Sequence, residues 1–221
     1  MKKLLMICAL IGLLIPPAAA SPDWSSNLLL NPGAETGTLN GWTTDDPVVV
    51  AASQSQHEAS GMVYPHSGNW FFNMAATEAA PSGVTASRIL YQDVDLSSYA
   101  SKTDAGLLLF KAGVYLQTED ATSFPGADYG QLTLRFLNGL GVEIDTLSTG
   151  LVQSPNLTWI KETLDGTAPV GMRSISLELL GEKNESTYIN AFFDDTNLQV
   201  APEPATLFLL GLGAVMLRRK R

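Results

Sequence analysis

Apolar and polar residues alternate one for one along the middle of this chain, and that pattern restricts the fold more than any other feature. Leu132, Leu134 and Phe136 alternate with Thr133 and Arg135, and Ile175, Leu177 and Leu179 alternate with Ser174, Ser176 and Glu178. A period of two sends successive side chains to opposite faces of an extended backbone, so each run is a strand with one buried face. Further strands are expected at residues 27–30, 48–51, 69–74, 87–96, 107–117, 142–147, 158–164 and 187–200. They are separated by turn-forming steps such as Asn31-Pro32-Gly33, Asn40-Gly41, Asn138-Gly139 and Asp165-Gly166. No stretch between the two ends of the chain sustains a 3.6-residue period, and no internal repeat is visible. Many short strands joined by turns predict an all-β fold, an antiparallel β-sandwich of the jelly-roll kind.

The two ends follow other rules. Lys2 and Lys3 precede an apolar stretch, residues 4–15. Pro16 and Pro17 then break it, and Ala18, Ala19 and Ala20 precede Ser21. A basic start, a short apolar run and small residues form a secretory signal peptide, with cleavage expected after Ala20. The one cysteine, Cys8, lies inside that segment. The exported chain therefore has no disulfide to lean on and must be held by its core. At the other end, Pro202-Glu203-Pro204 precedes 13 residues without charge, 205–217, and four basic residues, Arg218, Arg219, Lys220 and Arg221. At about 1.5 Å rise per residue the apolar run covers about 20 Å, against a hydrocarbon core of about 30 Å. It predicts a short transmembrane helix, with the basic residues on the cytoplasmic side. The prolines keep the tripeptide extended and open to an enzyme. The expected organisation is a signal peptide (1–20), one β-sandwich domain (21–200) and a tail (201–221).

Subtracting the ends changes the charge. Residues 21–201 hold seven basic and 21 acidic residues, a net charge near −14, whereas the whole chain carries −9. Such a surface repels a phosphate backbone, so nucleic acid is excluded as a partner. Calcium, cationic groups and neutral glycans remain open.

The tail resembles the PEP-CTERM sorting signal of Gram-negative bacteria, which is read by the membrane protease-transpeptidase exosortase. Pro202, Glu203 and Pro204 match the signature tripeptide, 207–217 the membrane segment and 218–221 the basic end. This resemblance implies export to the cell envelope, cell surface or extracellular matrix. It also implies tail processing and a link to extracellular polysaccharide or biofilm. The domain resembles galactose-binding-like jelly rolls of the carbohydrate-binding-module type. The likeness rests on Asn27-Leu-Leu-Leu-Asn-Pro-Gly-Ala-Glu35 with Gly41-Trp42, on Pro65-His-Ser-Gly-Asn-Trp70 and on Ala191-Phe-Phe-Asp-Asp-Thr-Asn-Leu198. Ala34 replaces a usual aromatic and Thr196 a usual valine, which implies altered packing at the domain's edge. The class implies a structural calcium ion tying the first loop to the last strand, with Glu35 and Asp194 as carboxylate ligands. Strand parity puts Asp194 on the inward face with Leu198 and Val200.

Catalytic patterns are weak. His57 and His66 are the only histidines, and they form no zinc-binding pair. No Gly-x-Ser-x-Gly elbow occurs. The acids Glu119, Asp120 and Asp128 in the loop 118–129 leave a polysaccharide hydrolase open as an alternative. Trp42, Trp70 and Trp159 are assigned to the core and Trp24 to an N-terminal linker. Tyr64 in the loop 52–65, with Phe124 and Tyr129 in the loop 118–129, are the aromatic candidates for ligand contact. The expected protein is a non-catalytic envelope or biofilm-matrix component that binds extracellular polysaccharide. A protein-binding adhesion module is a further alternative.

Overall fold

A computed structural model describes residues 21–203, apart from 58–60, 75–85, 120–125 and 185–187. The expected signal peptide, Pro204 and the expected membrane helix lie outside the described residues. Among the described residues no helix is long and apolar enough to cross a membrane.

The alternating runs form two five-stranded antiparallel sheets. One joins β1 (Thr43–Thr44), β6 (Ser87–Asp95), β11 (Met172–Glu182), β8 (Tyr129–Asn138) and β9 (Glu143–Ser148), in that spatial order. The other joins β10 (Ile160–Thr167), β7 (Leu108–Thr118), β12 (Ala191–Pro202), β5 (Phe71–Asn73) and β2 (Val50–Ala52). A separate hairpin, β3 (Ser55–His57) with β4 (Gly61–Val63), occupies part of the expected loop 52–65. The sheets pack face to face as a jelly-roll β-sandwich. Leu132, Leu134, Phe136, Ile175, Leu177 and Leu179 of the first sheet share one core with Phe110, Ala112, Leu116, Phe193, Leu198 and Val200 of the second. The two alternating runs thus bury the residues their period predicted.

One short helix, α1 (Ala100–Asp104), follows a 3-10 turn at Ser97–Tyr99. Five residues are too few to show a helical period. A tertiary clamp holds α1 instead: Arg173 donates to both carboxylate oxygens of Asp104, at 3.0 and 2.9 Å.

Three departures from expectation bear on function. Residues 27–30 form no strand. The chain there follows β12 through single main-chain bonds, Ser25 N to Val200 O and Leu28 N to Leu198 O, each 2.9 Å. Asn27 adds two more, donating to Thr196 O at 2.9 Å and accepting from Leu198 N at 3.0 Å.

Second, β12 carries a bulge. Asp194 pairs with Tyr115, but the next register is Asn197 with Gly113, so one extra residue sits in β12, with Asp195 at φ 47°. A bulge shifts parity beyond it. Leu198 and Val200 point inward as expected, but Asp194 shares the outer face with Phe192 and Tyr115. The parity argument for Asp194 therefore fails.

Third, β12 runs into the sorting tripeptide: Pro202 pairs with Leu108, and Glu203 N donates to Leu107 O at 2.8 Å.

Candidate functional site

The outer face of the second sheet has two halves. Above the bulge, the outward turn of Phe192 creates a second apolar cluster with Phe71 and Val63, against which Trp159 packs. Phe71 meets Phe192 and Trp159 edge-on, at centroid distances of 5.7 and 6.1 Å. The loop 66–70 closes over this half. His66 stacks on Tyr115 at 3.6 Å, and its Nδ1 lies 2.7 Å from Asp195 Oδ2. Three acidic side chains hold the loop. Asp194 Oδ2 accepts from the amides of His66 and Ser67, at 2.8 and 3.1 Å, and its Oδ1 accepts from Asp195 N at 2.7 Å. Glu35 accepts from the amides of Asn69 and Trp70 at 3.1 Å, and Ser67 Oγ donates to Asp195 Oδ1 at 2.7 Å. The loop can approach so closely because Gly68, at φ 64°, lacks a Cβ, which would lie 2.3 Å from Glu35 Oε1.

Glu35 and Asp194 do meet the same structure, as the calcium expectation required, but they meet it as acceptors of main-chain N–H bonds. Among the described residues no group of three or more His, Cys, Asp or Glu side chains gathers as a metal site. Calcium takes six to eight oxygen ligands, whereas the partners here are amide donors, whose positive ends would oppose a cation. This donor set does not fit the ion. The amides only partly offset the cost of burial. Desolvation pushes the fully buried Asp194 carboxyl up to about 6, against the pull of the Ser67, Asp195 and His66 amides.

Below the bulge the same face opens into a groove of about 610 Å³. Lys111 comes from β7, Lys161 and Asp165 from β10, and Asn197 and Gln199 from β12, with Trp24 as a wall. Strand alternation puts these polar side chains outward, while Ala112, Leu164 and Leu198 go to the core. Gln199 Nε2 donates to Ser25 O and so holds the residue next to Trp24. The Lys111 ammonium sits 4.3 Å from the Trp24 ring centroid, and that of Lys161 sits 5.7 Å from the Tyr115 ring. Gly113 keeps the floor low, since a Cβ there would lie 2.8 Å from Asn197 Oδ1. A groove with aromatic walls and mixed donors and acceptors suits a polar, hydroxyl-rich chain.

Two of the three aromatic residues singled out from sequence lie elsewhere. Tyr64 is exposed, and its carbonyl accepts from Trp159 Nε1 at 3.1 Å. Tyr129 opens β8 in the other sheet, opposite Glu182. Neither lines the groove, and Phe124 lies outside the described residues. Trp42 is buried in the core as expected, and Trp70 is half-buried against it. Trp159 belongs instead to the outer-face cluster, and Trp24 is a groove wall rather than part of a linker. No sequence signal marked Trp24, because its neighbours on the face come from strands some 90 to 175 positions away.

Of the acids of the hydrolase alternative, Glu119 and Asp128 do not line the groove. Glu119 and Asp128 are buried, and Asp128 accepts main-chain bonds from Asn184 and Asn190 at 2.8 and 2.6 Å. Asp120 is outside the described residues. Of the sorting tripeptide, Pro202 and Glu203 are held at the end of β12 as described above.

Comparison with known proteins adds two findings. Residues 200–221 carry the PEP-CTERM protein-sorting motif. That motif directs proteins to export and the cell surface. The jelly roll is similar to TmCBM61, a structure solved in complex with β-1,4-galactotriose. The TM-score is 0.50 with 20% identity, covering 79% of this chain and 98% of that one. It is also similar to the enzymatically active domain of tailspike protein 4 of bacteriophage CBA120. There the TM-score is 0.53 with 12% identity, covering 78% of this chain and 21% of that one. At these identities the likeness is one of fold. No curated protein sequence matches the chain.

Proposed function

We propose that this is an exported, non-catalytic protein of the envelope or biofilm matrix of a Gram-negative bacterium. Its domain binds extracellular polysaccharide in the Trp24 groove, and exosortase processes its tail at Pro202-Glu203-Pro204. The groove carries the reading. There an aromatic wall, two amide side chains, a carboxylate and two ammonium groups converge. The solved complex of the similar TmCBM61 with a galactose oligosaccharide supports a glycan as the ligand class. The sorting motif supports export and processing.

Glycan binding is tested on the exported protein by calorimetry against a polysaccharide panel. Trp24→Ala is expected to weaken binding about fivefold or more, because aromatic stacking contributes about 1 kcal/mol or more, while leaving the melting temperature nearly unchanged. Equal binding by wild type and Trp24→Ala would remove the groove from the account. Sorting is tested in a host with exosortase, where Glu203→Ala is expected to leave the tail attached; normal removal of the tail would refute the exosortase step.

A further inference from the structure

The groove is basic on an acidic molecule. Three of the seven basic residues in the domain are neutralised by carboxylates. Arg88 pairs with Asp46 at 2.7 Å, Arg135 with Glu178 at 2.9 Å and Arg173 with Asp104 at 2.9 Å. Lys111 and Lys161 are different. Among the described residues neither forms an ion pair; the Lys111 ammonium lies over the Trp24 ring of the groove wall and that of Lys161 near the Tyr115 ring, and both lysines line the groove. Asp165 is the single carboxylate lining the groove, which leaves a local net charge of +1 where the domain as a whole carries about −14. The spacing is also informative. Lys161 stands opposite Tyr115, four residues along β7 from Lys111. At about 3.3 Å per residue the two lysines are anchored about 13 Å apart along the strand direction. That anchor spacing fits anionic groups repeated along a chain.

We infer that the groove selects an acidic polysaccharide, one that presents carboxylates at intervals to Lys111 and Lys161 while Trp24, Asn197 and Gln199 take the sugar rings and hydroxyls. This rests on the glycan reading above and adds the sign of the ligand's charge. The surrounding negative surface sharpens the selection. The net negative charge of the domain opposes polyanions in general, so binding depends on registering with the two lysines rather than on general attraction.

The test compares two probes of equal length on the exported protein, an α-1,4-linked oligogalacturonate and the α-1,4-linked galactose oligosaccharide obtained by reducing its carboxyl groups. They differ in bearing a carboxylate or a hydroxymethyl group. The expected result is at least a tenfold preference for the acidic probe at low salt, shrinking several-fold in 0.5 M salt as screening shortens the reach of the lysines. Lys111→Gln combined with Lys161→Gln is expected to collapse the ratio towards one, and the double arginine variant to restore it. Melting curves establish that each variant is folded. A wild-type ratio near one, or a ratio that the glutamine pair leaves unchanged, overturns the inference while Trp24-dependent glycan binding stands. Binding of neither probe overturns the inference and the glycan reading together.

Discussion

Asp194 shows how far one side chain can depart from what its neighbours in sequence imply. Its face is set by the bulge, and its partners are amides from a loop about 128 positions away. Its carboxyl titrates near 6 in the folded chain against 3.8 in a model peptide. Between those values the folded state binds more protons than the unfolded one. The stabilising contribution is therefore complete below about pH 3.8 and is lost as pH rises through about 6. Two units correspond to about 3 kcal/mol. Asp46 has the opposite sign. The hydrogen bond from Arg88 lowers its carboxyl, so its contribution is present above the ordinary value and fades in stronger acid. The melting temperature of the wild type should therefore rise from pH 7 to about pH 5 before general acid unfolding sets in. Asp194→Asn should flatten that rise. Chelator should leave both melting curves unchanged, since the carboxylates already serve amide donors; a fall in melting temperature with chelator would restore the calcium site.

The strands themselves were largely legible. Runs expected at 87–96, 107–117 and 142–147 are β6, β7 and β9 within one or two residues, because alternation and turn residues are local signals. The bulge was not legible. Asp194-Asp195-Thr196 contains no glycine, and Asp195 takes a left-handed conformation only because Ser67 and His66 bind its carboxylate while Thr196 bonds to Pro32. That Thr196 hydroxyl also donates to Pro32 O, which accounts for threonine where the resembling sequences have valine. The end of β12 carries its own expectation. A chain ending at Ala201 forgoes the Pro202–Leu108 pairing and the Glu203-to-Leu107 bond. One such bond contributes about 1 kcal/mol, so it should melt about 2–4 °C below a chain ending at Glu203. Equal melting would mean that the tripeptide is not held by the sheet in solution.

For the whole molecule, the two ends of the domain meet. The segment Ser25–Leu28 lies along β12 and places Trp24 over Lys111, so the groove is closed by the residues that follow the expected signal peptide. Removing residues 21–26 should abolish glycan binding and lower stability by about 1–2 kcal/mol through the lost Ser25 bonds. Calorimetry and thermal melting of that chain check both, and retained binding would show that Trp24 is not a wall of the site. Composition and periodicity were enough to read an acidic, cysteine-free, antiparallel β-sandwich ahead of a C-terminal sorting motif, since these depend on counts and on neighbours within a few residues. The parity of Asp194, the amide partners of Glu35 and the groove itself were settled only in three dimensions. Each depends on pairings between strands far apart in the chain, such as Asp165 beside Lys111 and Gln199 beside Ser25, and no local pattern encodes which distant strand will supply the neighbour.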